Sequence, residues 1–399
     1  MQEFKNIKSS FPIFSNNPEL VFLDNASTSQ KPQMVIDAIN EYYTKYNSNV
    51  GRGVYKLAEI TDNLYQSGRE KIASFINANS ANEIVFVKNG TEAANLVSYS
   101  MSGKIASGDK IVVTELEHHS NYLPWLELAK RKQAQFEVIP FKNNQLSEID
   151  QIINEKTKIV AVTQMSNVLG IQPQLQEIMA RARDVGAVVI LDAVQGIAQK
   201  GLDVKAMDVD FAFVSVHKMF GPMGIGFLYG KSELLENMPA FMTGGGMIKE
   251  LNELNTEWLE VPNKFEAGTP NPAGVYATIK AIDFIEEIGT ENIYKHNVSL
   301  ANALREKLAK ISQIRLLGKA DTSIISFTID RIHPHDIASI FANNEISIRA
   351  GHHCSKPLMN ALDLNATARI SFQIYNNEKE LEKVLESINE VIKWTSLLK

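Results

Sequence analysis

From Glu83 onward the chain repeats one unit: a short apolar run, a polar cluster, then a helix-like segment. The runs are Ile84–Val87, Ile111–Val113, Phe136–Ile139, Ile159–Val162 and Val188–Leu191, and Leu175–Val185 is patterned as a helix between the last two. Apolar runs without alternation need cover on both faces, so the pattern predicts an α/β fold with a mostly parallel sheet between helical layers. In such a sheet, ligands bind beyond the carboxyl ends of the strands. Polar clusters stand at those ends: Gly90-Thr91, His118-His119, Ser166-Asn167, Asp192-Ala193-Val194-Gln195 and Ser215 to Lys218. Five in succession predict one site assembled from several loops.

The rest of the chain bounds that reading. At 399 residues two domains are expected. The first 20 residues form an arm without clear period, closed by the strand-like Val21-Phe22-Leu23. Helical patterns follow Pro32 and span Ala58 to Ile76. The character changes near Asn263: helices are expected over Pro272–Ile288 and Asn297–Ile311. Strand-like Ile324–Thr328, Ile346–Ile348 and Ala368–Phe372 follow, with a helix begun by Pro334 and a last one over Glu378–Leu398. That α+β pattern predicts a large domain over residues 1–289, its arm packing on the other domain, and a small domain over 290–399. The net charge of −6 argues against a nucleic-acid or anionic-membrane partner. No apolar run approaches the ~20 residues of a membrane span. The first residues, Met1 to Lys5, show neither a signal nor a transit pattern, and Cys354 is the one cysteine, so a cytoplasmic protein is expected.

Individual residues carry chemistry. Lys218 lies between the apolar runs Phe211–Val214 and Gly224–Tyr229. A buried lysine has a lowered pKa and a nucleophilic amine; a lysine on a surface turn has neither. Gly90-Thr91-Glu92 opens a helix after a strand, which suits an anion or a plain N-cap. Asp192 ends a buried strand and calls for a turn-capping role or a cationic partner. A protonated ring nitrogen ~4 Å away at an effective dielectric of ~20 would gain about 4 kcal/mol, roughly three pKa units. His119 could stack on a ring, transfer protons or be structural. Gly230-Lys231-Ser232 ends like a P-loop, but Ile225 stands where its first glycine is required. Arg349-Ala350-Gly351-His352-His353-Cys354-Ser355-Lys356 is the other dense cluster. No CxxC or HxxxH spacing accompanies it, so a thiol activated by His352, His353 and Lys356 is favoured over a metal. Arg369 suits bidentate binding of a carboxylate, or an exposed strand edge.

Together these motifs resemble the cysteine desulfurases, in the Suf-type (group II) branch of the class V aminotransferase family. The likeness runs nearly end to end, through Leu23-Asp24-Asn25-Ala26-Ser27, Gly90-Thr91-Glu92, Glu117-His118-His119, Ser166-Asn167-Val168-Leu169-Gly170, Asp192-Ala193-Val194-Gln195, Ser215-Val216-His217-Lys218, Phe265 to Asn271 and Arg349 to Cys354. The resemblance implies the fold type I architecture of enzymes dependent on pyridoxal 5'-phosphate, and a homodimer with sites at its interface. It implies that Lys218 carries the cofactor and moves the Cα proton. Asp192 would meet the pyridine nitrogen, Gln195 the phenolic oxygen, and His119 would stack on the ring. Gly90, Thr91, Ser215 and His217 would hold the phosphate, with Thr269 of the neighbouring subunit. Asn167 and Arg369 would hold the substrate carboxylate, and Cys354 would accept sulfur with Arg349 nearby.

The implied reaction turns L-cysteine into L-alanine and leaves a persulfide on Cys354, for a Suf-type acceptor protein and iron–sulfur cluster assembly. L-Selenocysteine is a further implied substrate. Selenocysteine lyase or cysteine sulfinate desulfinase could share the site. An aminotransferase would not need Cys354, and Lys218 with Asp192 argues against a non-enzymatic sulfur carrier. The chain departs from the family pattern at Asn89-Gly90-Thr91, in place of Gly-Thr-Thr. It departs also at Gly51 and Tyr55, which flank Arg52-Gly53-Val54 where histidines are frequent, and at Val216, in place of a frequent glycine.

Overall fold

A computed structural model describes residues 6–51 and 53–397, with side chains to Trp394. Residues 1–5 of the expected arm, Arg52, and Leu398 at the end of the terminal helix lie outside the described residues.

The repeated units form a seven-stranded sheet among the described residues. Its strands are β1 (Ile84–Val87), β2 (Lys110–Thr114), β3 (Gln135–Ile139), β4 (Thr157–Thr163), β5 (Val188–Asp192), β6 (Phe211–Ser215) and β7 (Gly226–Gly230). The spatial order is β1-β7-β6-β5-β4-β2-β3. Successive residues feed opposite cores: Ile84 and Phe86 join one cluster, Val85 and Val87 the other. This alternation explains runs with no polar face. β7 is the exception to parallel pairing, running antiparallel to both β1 and β6. Only Val216–Ile225 separates β6 from β7, too short for the crossover a parallel partner needs. Lys231, the P-loop-like lysine, pairs with Asp208 and Asp210.

The C-terminal part adds an antiparallel sheet of β8 (Ile314–Leu316), β9 (Ile324–Ile329), β10 (Arg349–Gly351) and β11 (Thr367–Ser371), in the order β8-β9-β11-β10. The helices Thr290–Leu308, Pro334–Asn343 and Glu378–Leu397 supply Leu300, Leu304, Phe341, Val384 and Ile388 to its core. The first of these helices begins at Thr290 rather than Asn297, directly after Gly289 ends the preceding one. A hairpin over Ile248–Leu251 and Thr256–Trp258 was not expected; its residues are too polar to read as strand.

The arm is ordered where it is described. Ile7–Ser10 and Pro12–Asn16 form short helical turns. Phe11 packs on Phe220, Phe284 and Tyr375, so it joins both parts of the chain. Val21–Phe22 pairs in parallel with Ile346–Ser347, and Asp24 bridges to Ser371. Val21 and Leu23 lie in the C-terminal core. The division into 1–289 and 290–399 is therefore a proposal about sequence order, with this strand given by packing to the second part. Among the described residues, no helix is long and apolar enough to cross a membrane.

Candidate active site

The clusters at the ends of β1, β2, β4, β5 and β6 open into one cavity of about 320 Å³. Lys218 reaches it from a helical turn, Val216–Lys218, that follows β6 at once. The turn is tight. A Cβ on residue 221 would meet buried Val216 at 2.2 Å, so the valine that replaces a frequent glycine is accommodated by Gly221, three residues after Lys218. Lys218 is partly exposed and lines the cavity. Burial draws its ammonium down to about 8, opposed by Asp192 and assisted by Arg369 and Arg349.

Asp192 ends β5 only 5% exposed, its carboxylate accepting 3.0 Å from the Val194 N–H. Burial pushes it up to about 6, against that bond and the Lys218 charge. A carboxylate so placed gains most from a cation held next to it. Gln195 also lines the cavity and donates 2.7 Å to the Ala26 carbonyl.

The helix Gly90–Ser100 points its first turn at the same space. Asn89 caps it through the Glu92 N–H at 3.0 Å. The Gly90 N–H donates 2.8 Å to Ser215 Oγ. A Cβ on Gly90 would stand 3.0–3.2 Å from Phe213, Val194 and Ser215, a tight fit that favours glycine here. Thr91 Oγ1 lies 2.6 Å from Ser120 Oγ. His217 Nδ1 lies 3.2 Å from Thr28 Oγ1, and burial first, then Lys218 and Lys31, lowers His217 to about 4.

The paired histidines are placed opposite to expectation. His118, not His119, lines the cavity. His118 caps the turn His119–Asn121, accepting 3.1 Å from the Ser120 N–H, and this fixes its ring inward. Burial and the Lys218 charge hold it neutral, at about 3. His119 turns to the cavity mouth: its N–H donates 2.7 Å to the Cys354 carbonyl, and its Nε2 accepts 3.0 Å from the Lys356 N–H. Adjacent residues on a turn point apart, which one pair of letters does not reveal.

Cys354 comes from the other sheet. It sits half-buried between β10 and the helix Lys356–Ala361, lines the cavity, and has φ of 54° beside His353 at 53°. His353 is buried beneath it, bonded 2.8 Å to Thr367, and burial holds it neutral far below its ordinary value. It therefore adds no positive charge for the thiol, contrary to the expectation above; Arg349, Arg369 and Lys218 are the basic side chains lining the cavity with Cys354. Asn167 donates 2.8 Å to the His353 carbonyl and accepts 3.0 Å from Ser355.

Arg369 is 1% exposed, so it is not an edge-strand arginine. It donates 2.8 Å to the Asn167 carbonyl, and through Nη2 2.9 Å to both Asp24 and Ser27. Its Nε has no partner among the described residues. Burial lowers it to about 10, with Asp24 pulling the other way. Arg349 donates 2.8 Å to Ser27. Thr269 is not brought to this cavity within one chain; it lines separate grooves with Gly268 and Pro270. No group of three His, Cys, Asp or Glu that could hold a metal occurs among the described residues.

Sequence reasoning assigned no role to Ser27, Asp24, His118 or Glu117. All four stand inside quoted motifs, which was the available signal. Glu117 is buried and takes hydrogen bonds from Thr114 and Asn121 at 2.6 Å and from the Thr163 N–H at 2.9 Å. Burial pushes it up to about 8.

The cavity fits pyridoxal phosphate. It offers a lysine amine whose pKa burial lowers, a helix start for an anion, a neutral flat ring, and a buried carboxylate suited to a ring cation.

The aminotransferase class-V family profile matches residues 21–384. A probable cysteine desulfurase of Streptomyces coelicolor is 40% identical over 401 residues, covering 96% of each chain. Another, of Halalkalibacterium halodurans, is 41% identical, covering 96% of this chain and 97% of its own. Among solved structures, the apo cysteine desulfurase of Thermococcus onnurineus superposes with a TM-score of 0.94 at 35% identity, covering 98% of this chain and 99% of that one. A cysteine desulfurase of Escherichia coli in its S-sulfonic acid form gives 0.92 at 33% identity, covering 98% of each.

Proposed function

The chain belongs to the aminotransferase class-V family, and from that premise we propose that it is a pyridoxal-phosphate-dependent L-cysteine desulfurase. The observation that carries this reading is the shared cavity: Lys218 and Cys354, from different sheets, line the same space. An aminotransferase has no use for a thiol there.

When bound, pyridoxal phosphate supplies an aldehyde that condenses with amines and a ring that takes up the electron pair left at a substrate Cα. Lys218 holds it through its amine and later removes the Cα proton. Asp192 would pair with the ring nitrogen, and Gln195 would serve the phenolic oxygen. Gly90, Thr91, Ser215 and His217 hold the phosphate. His118 takes the ring-stacking role expected of His119. Thr269 would serve the phosphate of a second copy, in a homodimer. Asn167 and Arg369 fix the substrate carboxylate, which orients the Cβ–S bond toward Cys354. The Cys354 thiolate attacks the substrate sulfur; an S–S bond forms as the Cβ–S bond breaks, leaving a persulfide on Cys354 and, after protonation, L-alanine. Arg349 supplies positive charge beside the thiolate. The persulfide passes to a Suf-type acceptor protein for iron–sulfur cluster assembly in the cytoplasm.

The test is product analysis. Protein purified with pyridoxal phosphate is expected to release equal amounts of L-alanine and sulfide from L-cysteine with a thiol reductant. An acceptor protein of the proposed kind should raise alanine release. Pyruvate with ammonia in place of alanine, or amino-group transfer to a keto acid, would refute the desulfurase reading.

A further inference from the structure

One hydroxyl at the cavity wall has every hydrogen-bonding capacity filled by charged groups. A serine hydroxyl has one donor and two acceptor positions. Ser27 donates 2.7 Å to Asp24 Oδ1, accepts 2.8 Å from Arg349 Nη1, and accepts 2.9 Å from Arg369 Nη2. Arg369 Nη2 also reaches Asp24 Oδ1 at 2.9 Å. Asp24 and Ser27 follow the strand Val21–Phe22, while the arginines stand directly opposite each other in the pairing of β10 with β11. Two like charges that share one oxygen repel, and the carboxylate behind the hydroxyl compensates them. Ser27 itself lines the cavity; Asp24 does not.

We propose that Ser27 and Asp24 are positioning residues that join Arg349 and Arg369 into one receptor for the substrate carboxylate. Ser27 sets the separation of the two guanidinium groups. Asp24 moderates their combined pull, so that a carboxylate is held during the reaction and the product can leave. The proposal rests on the assignment of Arg369 to the substrate carboxylate. Ser27 and Asp24 act oppositely on binding. Losing the hydroxyl lets the guanidiniums spread and weakens the receptor; neutralising Asp24 without changing its shape makes the receptor more positive and tightens it.

The experiment measures kcat and KM for alanine release from L-cysteine, together with Kd for L-alanine read from the visible absorbance of the holoenzyme. It compares the native enzyme with Ser27→Ala, Ser27→Thr and Asp24→Asn. Ser27→Ala is expected to raise KM and the L-alanine Kd together, by about tenfold, as for the loss of a hydrogen bond to a charged group. The absorbance without ligand should stay that of the native holoenzyme, and Ser27→Thr, which keeps the hydroxyl, should recover most of the loss. Asp24→Asn should lower the L-alanine Kd several-fold and slow turnover through product retention. Weaker L-alanine binding in Asp24→Asn, or a Ser27→Ala enzyme that loses kcat with KM and Kd unchanged, overturns the proposal. If Ser27→Ala does not fold, the direction of the Asp24→Asn shift decides alone. A native enzyme that binds L-alanine but releases none from L-cysteine refutes the desulfurase reading instead, and leaves the binding comparison intact.

Discussion

Lys218 and Cys354 serve one cavity from opposite kinds of support. The Lys218 turn is pinned by the segment Ser29–Lys31. Its neighbour His217 gives its carbonyl to Ser29 and, at 2.9 Å, to Lys31, and the Phe220 N–H donates 2.8 Å to Ser29 Oγ. Cys354 stands on a rim, half-buried, on two successive left-handed residues, with its carbonyl accepting from His119. In the proposed reaction the group that handles a proton stands on a pinned turn. The group that takes up sulfur has to face both the cavity and the outside. Chemistry at Cα and delivery of sulfur are thus supported by separate structures, and they should be separable by mutation.

The largest effect tests the fixed side. Lys218→Ala is expected to reduce alanine release by about 10⁴-fold, from loss of both cofactor attachment and proton transfer, and to change the visible spectrum. Next comes the rim. Cys354→Ser should cut alanine release from L-cysteine by at least about two orders of magnitude while the holoenzyme spectrum remains native. A spectral change as large as that of Lys218→Ala would show that the two supports are not independent. The paired histidines draw the line between them. His118→Ala should weaken cofactor retention about tenfold, measured by dialysis and absorbance, from the loss of ring stacking. His119→Ala should leave retention near native and act on the Cys354 turn; the reverse result would restore the assignment read from sequence.

The smallest effect is thermodynamic. Glu117 holds a proton in the folded protein up to about pH 8, against an ordinary value of 4.5. Its folded-state pKa is raised, so its favourable contribution is complete below 4.5 and is lost as pH rises through 8. Denaturant unfolding of the cofactor-free protein should therefore show stability declining across that window, and Glu117→Gln, which stays neutral, should flatten the decline.

Much of this was legible in sequence because the sheet is buried on both faces. A lysine, an aspartate or a glycine at the end of an apolar run stands out against its surroundings, and Lys218, Asp192 and Gly90 all line the cavity. Three kinds of information were not local. The choice between His118 and His119 depends on which way a turn faces. The direction of β7 depends on the length of the connection before it. The link from Asp24 and Ser27 to Arg349 and Arg369 joins opposite ends of the chain, and no periodicity carries it. Thr269 is a fourth case, since one chain does not bring it to the cavity it was expected to serve.

The pairing of Val21–Phe22 with Ile346–Ser347 also sets an order of assembly. The two partners leave the ribosome more than three hundred residues apart, on the order of half a minute at ~10 residues per second. Until then the first strand has no partner, Asp24 has no arginine, and the wall of the cavity nearest Cys354 does not exist. The large sheet, with Lys218 and Asp192, is synthesised well before. A nascent chain therefore has Lys218 and Asp192 early, yet it has no thiol to load until the closing strands arrive. Sulfur is handled only by molecules whose two ends have met.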